Sequence, residues 1–171
     1  GPNNNLLEAL ETSLAEKGKE EDYLLFLGDN IHGSDLQISG NEDALKRQLE
    51  LSSNFKGQTL FLTGDHEWNE YGVDGLEKIE TYIEEYYEEE DHFLPKNGCP
   101  LEIIDVSNDI ELVLINSQWY IEDWSKVAGI NDKCQIKTRE QFKTLLNGEM
   151  RKARHKTIVL AMHHPLYTNG I

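Results

Sequence analysis

Long apolar runs and positive charge are both scarce in this sequence. No stretch approaches the roughly 20 consecutive apolar residues that a membrane-spanning helix requires. Lysine and arginine total 16 against 32 aspartates and glutamates, which gives a formal net charge of -16. Because such a surface repels the phosphate backbone of nucleic acids, we expect neither a transmembrane segment nor a duplex-binding role.

Cysteine is equally scarce, and its placement excludes the common thiolate metal sites. The two cysteines, Cys99 and Cys134, form no CxxC pair and no Cys/His ligand spacing. Each stands in a polar, loop-like stretch of the chain. Free thiols of a cytosolic protein and a disulfide of an exported domain both fit this pattern, and the sequence leaves the two alternatives open.

The 171 residues, with a hydrophobic content of 38%, suit a single soluble globular domain over residues 1–171. Gly1-Pro2 resembles the remnant of a tag-removing protease site, so the native N-terminus is expected to have been cut away. The acidity is concentrated in residues 84–91. We interpret this run as a solvated helix face leading into a loop, with a partner-binding patch as the alternative.

Helical and strand patterns alternate along the chain. Short apolar runs predict buried strands at 23–27, 59–62 and 157–161, and two further strands at 101–106 and 110–115. Helical spacing predicts helices at 6–14, from Asn41 to about 54, at 76–87 and from Thr138 onward. Residues 116–136 are expected to be irregular, with their aromatic residues used in packing. The alternation predicts an α/β fold, with a hairpin at 101–115 and a parallel crossover to the last strand.

Three of the predicted strands end in polar motifs. The first gives GDNIH from Gly28, the second gives GDHEW from Gly64, and the last gives HHPLY from His163. Ligand sites of α/β sheets gather beyond the carboxyl ends of the strands, so we expect the three motifs to meet at one point. A glycine before each aspartate lets the backbone turn sharply there.

The residue types in these motifs suit metal ions. Carboxylate and imidazole bind iron, zinc or manganese, and thiolates are absent from the set. Two such ions about 3.5–4 Å apart can clamp a phosphoryl group and lower the pKa of water. Asp29 and His163 are the strongest candidates for ligands. His92 and His155, which lie outside the motifs, are expected to be exposed.

Together, GDNIH, GDHEW and MHHPLY resemble the series GDxx(Y), GNH(E/D) and xxH of the calcineurin-like metallophosphoesterases. The chain is most similar to the purple-acid-phosphatase branch, and the stretches LPKNGCP from Leu94 and SQWY from Ser117 resemble bacterial exported members. The resemblance covers nearly the whole chain. It implies an αββα sandwich of two mixed sheets, two bound metal ions (Fe, Zn or Mn), a small phosphorylated substrate and a location in the cell envelope outside the cytoplasm.

The resemblance also implies roles for the metal ligands. Asp29 would bridge both metals, and His32 stands where the branch has a tyrosine ligand to the first metal. Asp65 stands where the family has an asparagine ligand to the second metal, and His163 matches the histidine that binds that second metal. The change at position 32 removes the phenolate that colours the purple enzymes, so we expect no purple colour.

The remaining motif residues would act on the substrate. By resemblance, His66 would stabilise the transition state or protonate the leaving oxygen, and Glu67 would orient His66 through a hydrogen bond. Asn30 and His164 would line the substrate side. The implied reaction is direct in-line attack on phosphorus by a hydroxide that bridges the two metals, without a covalent phosphoenzyme.

The first and last motifs of the family, an N-terminal Asp and a GHxH, are expected to lie beyond the two ends of this sequence. Three functions therefore stay open: a phosphomonoesterase, a phosphodiesterase of the same superfamily, and a catalytically inactive interaction module that keeps the fold. The acidic surface argues against long nucleic acids as substrates of a phosphodiesterase.

Overall fold

The computed structural model of the protein describes residues 2–32, 41–68 and 72–167, which form a mixed α/β fold with two small sheets. The helices are α1 (Pro2–Lys17), α2 (Asn41–Ser52), α3 (Asp65–Trp68), α4 (Gly72–Tyr87), α5 (Ser117–Ile121) and α6 (Arg139–Lys152). The strands are β1 (Tyr23–Phe26), β2 (Gln58–Phe61), β3 (Leu101–Asp105), β4 (Ile110–Ile115) and β5 (Thr157–Met162). Each predicted helix and strand is confirmed to within a few residues at each end. Gly1 and the side chain of Asn41, the predicted cap of α2, lie outside the described residues.

The two sheets differ in strand direction. In the first, β1 pairs with β2 in parallel, from Tyr23 opposite Gln58 to Phe26 opposite Phe61. In the second, β4 pairs with β3 as an antiparallel hairpin and with β5 in parallel, so the predicted hairpin and crossover are both confirmed. Two mixed sheets were expected, but the described strands of the first sheet are parallel only.

Alternation along the strands divides the buried side chains into two clusters. Leu60 and Leu62 follow one side of β2 and share a buried cluster with Leu112 and Leu114 of β4. The residues between them point the other way: Phe61 and Val113 belong to a second cluster with side chains of α2, α4 and α6. Successive residues of a strand face opposite sides of its sheet, so neighbouring side chains of one strand enter different clusters.

Three sequence-based expectations are wrong. The first and last strands were expected to be buried, the first on both faces, yet β1 is only half-buried along its length, and Val159 and Leu160 are 42% and 39% exposed where β5 forms one edge of the described second sheet. His92 was expected to be exposed, but it is buried, stacks on Tyr87 and makes a 2.7 Å hydrogen bond to the carbonyl of Thr59. The segment 116–136 contains the short helix α5 rather than being irregular throughout.

Cys99 and Cys134 form a disulfide, which decides the alternative that the sequence left open. The bond joins the loop before β3 to the segment between α5 and α6. The bond closes a loop with a sequence separation of 35 residues, which lowers the conformational entropy of the unfolded chain. Such a bond typically stabilises a fold by roughly 2–4 kcal/mol. No described helix is both long and apolar enough to cross a membrane.

Candidate metal centre

The first two motifs occupy neighbouring turns, because β1 and β2 run in parallel and end side by side. Gly28 has a φ of +94° and Asp29 a φ of +55°, so the chain turns sharply directly after β1. A Cβ on Gly28 would lie 2.5 Å from the amide nitrogen of Gly64, and a Cβ on Gly64 would lie 2.3 Å from Asp29 Oδ1. Both positions therefore require glycine, as the motif pattern indicated.

The third motif joins the other two through His163, which directly follows β5. Its Nε2 atom lies 3.5 Å from Asp29 Oδ1 and 3.3 Å from Asp65 Oδ1. His66 also lies next to Asp29, with its Nε2 3.9 Å from Asp29 Oδ2 and its backbone amide donating to Asp29 Oδ1 at 3.2 Å. The structure therefore brings four of the predicted site residues, two carboxylates and two imidazoles, to one place.

The hydrogen bond of His163 Nδ1 tests whether this group suits a metal ion. Nδ1 lies 2.8 Å from the carbonyl oxygen of Leu27, which can only accept, so Nδ1 carries the proton. In the neutral ring Nε2 then has a free lone pair, and that lone pair faces the oxygens of Asp29 and Asp65. Donor atoms at these distances are held together by positive charge, which a proton on Nε2 or a metal ion among the three groups can supply. The donor set therefore fits iron, zinc or manganese.

His164 lies next to the same group of side chains. Ligand atoms of Asp65, His163 and His164 all lie within 4.8 Å of one another. Nδ1 of His164 is 2.8 Å from the hydroxyl oxygen of Ser117, and that oxygen also accepts the backbone amide of His164 at 3.1 Å. Burial lowers the pKa of His164, and the neighbouring His163 lowers it further. A residue expected to contact substrate is thus also within reach of the metal-ligating group.

Glu67 accepts hydrogen bonds from the turns after β1 and β2, and its predicted bond to His66 stays a prediction. Its side chain is fully buried, and Oε2 accepts the backbone amides of Gly64 at 2.7 Å and Asp29 at 3.1 Å. Oε1 accepts the backbone amide of Asn30 at 2.6 Å and the side-chain amide of Asn30 at 3.1 Å. These four hydrogen bonds connect the turns after β1 and β2, and among the described residues none of them goes to His66. Burial raises the pKa of Glu67, and the bonds from the three backbone amides oppose that rise.

Asn30 also supports the turns more directly than it meets substrate. It is buried, and its side-chain amide donates to the carbonyl of Leu62 at 2.9 Å as well as to Glu67. Its own carbonyl accepts from Gln48 of α2 at 2.7 Å, which connects the first turn to that helix. The substrate-side position expected for Asn30 stays a prediction, while its described hydrogen bonds go to Leu62 and Glu67.

His32 lies at the exposed rim of the group. Its ring meets the ring of His66 edge to face, with the centroids 5.5 Å apart. This contact places His32 beside the predicted acid–base residue, and its role as a metal ligand stays a prediction.

Sequence reasoning did not single out Ser117 or the carbonyl of Leu27 as parts of the site. A usable signal was present for the serine, because β4 and β5 are parallel and Ile115 pairs with Met162. Ser117 and His164 each follow those residues by two positions, so the register alone brings them together. A backbone carbonyl leaves no such trace in the sequence.

Comparison with known families gives one match: the family described as calcineurin-like phosphoesterase matches the chain over residues 1–171. No curated protein and no solved structure matches the chain.

Proposed function

The chain belongs to the calcineurin-like phosphoesterase family, and on that premise we propose that it hydrolyses phosphoesters with two metal ions held at the ends of β1, β2 and β5. Family membership implies a metal-dependent phosphoesterase and a phosphorylated substrate. Within the family, the motifs favour the purple-acid-phosphatase branch, and the buried cluster shared by both sheets, with a second cluster shared with the helices, favours an αββα sandwich.

One observation carries the proposal: Nε2 of His163 lies within 3.5 Å of oxygens from both Asp29 and Asp65. These three side chains come from separate motifs, and their chemistry matches metal ligation. Asp29 would be the ligand shared by both ions, Asp65 and His163 would bind the second ion, and His32 would bind the first.

Each residue then has a defined task in the reaction. Bound metal ions neutralise charge on the phosphate oxygens and make water a stronger nucleophile at neutral pH. His66, next to Asp29 and 40% exposed at its side chain, is placed to give a proton to the leaving oxygen. Glu67 holds the turns that carry Asp29 and Asp65, which fixes the spacing of the ligands.

Metal content is the direct test of the site. Elemental analysis of the chain after loading with zinc or manganese should give about two ions per chain, because two ions need to share Asp29. The His163→Ala variant should lose the second ion and retain at most one. His155→Ala, a change at an exposed histidine, is the matched control and should retain two. Zero or one ion in the unchanged chain would instead support the inactive interaction module.

Substrate class is decided by comparing chromogenic phosphate monoesters and diesters with the metal-loaded chain. We propose a monoesterase acting on small phosphorylated molecules, because the net charge of -16 disfavours long nucleic acids. Faster turnover of the diester would favour the phosphodiesterase alternative.

Asp65→Asn should raise phosphatase activity while weakening metal binding. The family has asparagine at this position, and the carboxylate of Asp65 places an extra negative charge where a phosphate dianion must dock. Its side chain is 51% exposed, so solvent screens part of the repulsion. We expect kcat/KM for a monoester to rise by about fivefold, corresponding to roughly 1 kcal/mol of relieved repulsion. Steady-state kinetics at saturating metal provide the measurement, and unchanged or lower turnover would contradict this reading.

We also propose a location outside the cytoplasm, in the cell envelope. The Cys99–Cys134 disulfide supports it, because disulfides persist mainly in oxidising compartments.

A further inference from the structure

The hydroxyl of Ser117 makes two contacts with a single residue. Its oxygen accepts the backbone amide of His164 at 3.1 Å and lies 2.8 Å from Nδ1 of the same histidine. Ser117 is only 8% exposed, so its polar atoms depend mainly on protein partners.

The position of Ser117 is fixed by the residue before it. Asn116 accepts the amide of Trp119 at 3.0 Å as the cap of α5, and its side chain donates to the carbonyl of Gly98 at 2.9 Å. Its backbone amide donates to the carbonyl of Pro100 at 3.1 Å. These bonds hold the start of α5 against the loop before β3, so the serine oxygen meets His164 from a rigid support.

A count of donors and acceptors then decides the direction of the bond to Nδ1. A serine hydroxyl offers one proton and two lone pairs, and the amide of His164 can only donate, so it uses one lone pair. If Nδ1 also donated, the serine proton would need another acceptor in a nearly buried place. Within the described residues, His164 is the one hydrogen-bond partner of this hydroxyl. The proton of Ser117 therefore goes to Nδ1.

We propose that Ser117 is a positioning residue that holds His164 in the tautomer with the proton on Nε2. In this tautomer Nε2 donates a hydrogen bond to a substrate phosphate oxygen and has no lone pair for a metal ion. His163 has the opposite arrangement, because the carbonyl of Leu27 keeps the proton on its Nδ1. Different hydrogen-bond partners therefore fix the tautomers of the two adjacent histidines. His163 presents a lone pair to a metal ion, and His164 presents a proton to phosphate. The substrate part of this inference rests on the proposed function.

Nitrogen-15 NMR of the imidazole groups tests the tautomer without any need for turnover. In the metal-free chain at pH 8, His164 should show the shift of an unprotonated nitrogen at Nδ1 and of a protonated nitrogen at Nε2. The His164→Ala variant identifies these signals among the six histidines. Ser117→Ala should lose this preference, and Ser117→Thr, which keeps the hydroxyl, should restore it. A proton on Nδ1 of His164 in the unchanged chain would overturn the proposal.

Binding measurements separate the phosphate contact from a metal contact. In the zinc-loaded chain, Ser117→Ala should weaken binding of inorganic phosphate by about fivefold, the effect of one hydrogen bond, and leave zinc affinity within about twofold. Ser53→Ala removes an exposed hydroxyl far from the site in sequence and is the matched control. A tenfold or greater loss of zinc affinity in Ser117→Ala would make His164 a metal ligand and contradict the proposal. A chain that binds no zinc would count against the proposed function, while the NMR result would still decide the tautomer.

Discussion

Asp29→Asn should remove both metal ions and reduce phosphatase turnover on the order of 10³-fold, because the carboxylate of Asp29 is expected to bind both cations. Asparagine has nearly the same shape, and it tolerates the left-handed backbone that Asp29 adopts at φ +55°. Its side-chain oxygen can still accept the backbone amide of His66, which now donates to Asp29 Oδ1 at 3.2 Å. The substitution therefore removes the charge and keeps the turn.

Elemental analysis and steady-state kinetics measure the two effects, and thermal unfolding confirms that the fold persists. Asp22→Asn is the control, since Asp22 also accepts a backbone amide, that of Lys19 at 3.0 Å, at a turn away from the site. The control should keep both metals and full activity. Retention of two ions by Asp29→Asn would show that Asp29 does not bridge them. Loss of two ions here against loss of one in His163→Ala would distinguish a shared ligand from a ligand of one ion.

Glu67→Gln should destabilise the fold by about 3 kcal/mol or more, because each unpaired buried donor costs roughly 1–3 kcal/mol. Each oxygen of the fully buried carboxylate accepts two N–H donors. A glutamine places an NH₂ group at one of these two positions in either orientation of its amide. At least two donors then face another donor. For a chain of this size the midpoint of thermal unfolding should fall by roughly 6–12 °C.

Thermal unfolding and metal affinity should change together in this variant, since the same bonds hold the turns of Asp29 and Asp65. Glu80→Gln is the matched control: Glu80 accepts one backbone amide, that of Asn97 at 3.2 Å, and burial raises its pKa to about 7. Because a charge is already unfavourable at Glu80, we expect a change of less than about 1 kcal/mol there. Full stability of Glu67→Gln combined with lost activity would instead support the orienting role toward His66 that the resemblance implied.

The periodicity of apolar residues was sufficient to place the regular structure. The runs at 101–106 and 110–115, separated by three polar residues, predicted a hairpin, and the hairpin formed between Leu101–Asp105 and Ile110–Ile115. The same pattern misjudged β5, which is about as apolar as β4 but is exposed by 42% at Val159 and 39% at Leu160, because β4 lies between two strands and β5 lies at one edge of the described sheet. The apolar composition of a strand indicates which side chains can be buried. The position of the strand, in the middle or at the edge of a sheet, decides which of them are buried.

The sequence by itself also determined which residues meet at the site. Asp29 and Asp65 each follow a strand of the same parallel pair, and the common direction of paired strands brings them together. His163 follows β5 of the other sheet, so the motif order predicted its place, but only the packing of the two sheets brought it to Asp29 and Asp65.

Only the tertiary structure decided how these residues are held. Whether Cys99 and Cys134 pair depends on the distance between two loops 35 residues apart in sequence, and no local pattern encodes that distance. The bonds of Glu67 to backbone amides and of His163 to a backbone carbonyl are equally invisible in the sequence, since every residue carries the same amide and carbonyl groups. The side-chain types in the sequence therefore specified the chemistry of the site. The backbone geometry, which exists only in the folded chain, decided the histidine tautomers and the hydrogen bonds that hold the site residues in place.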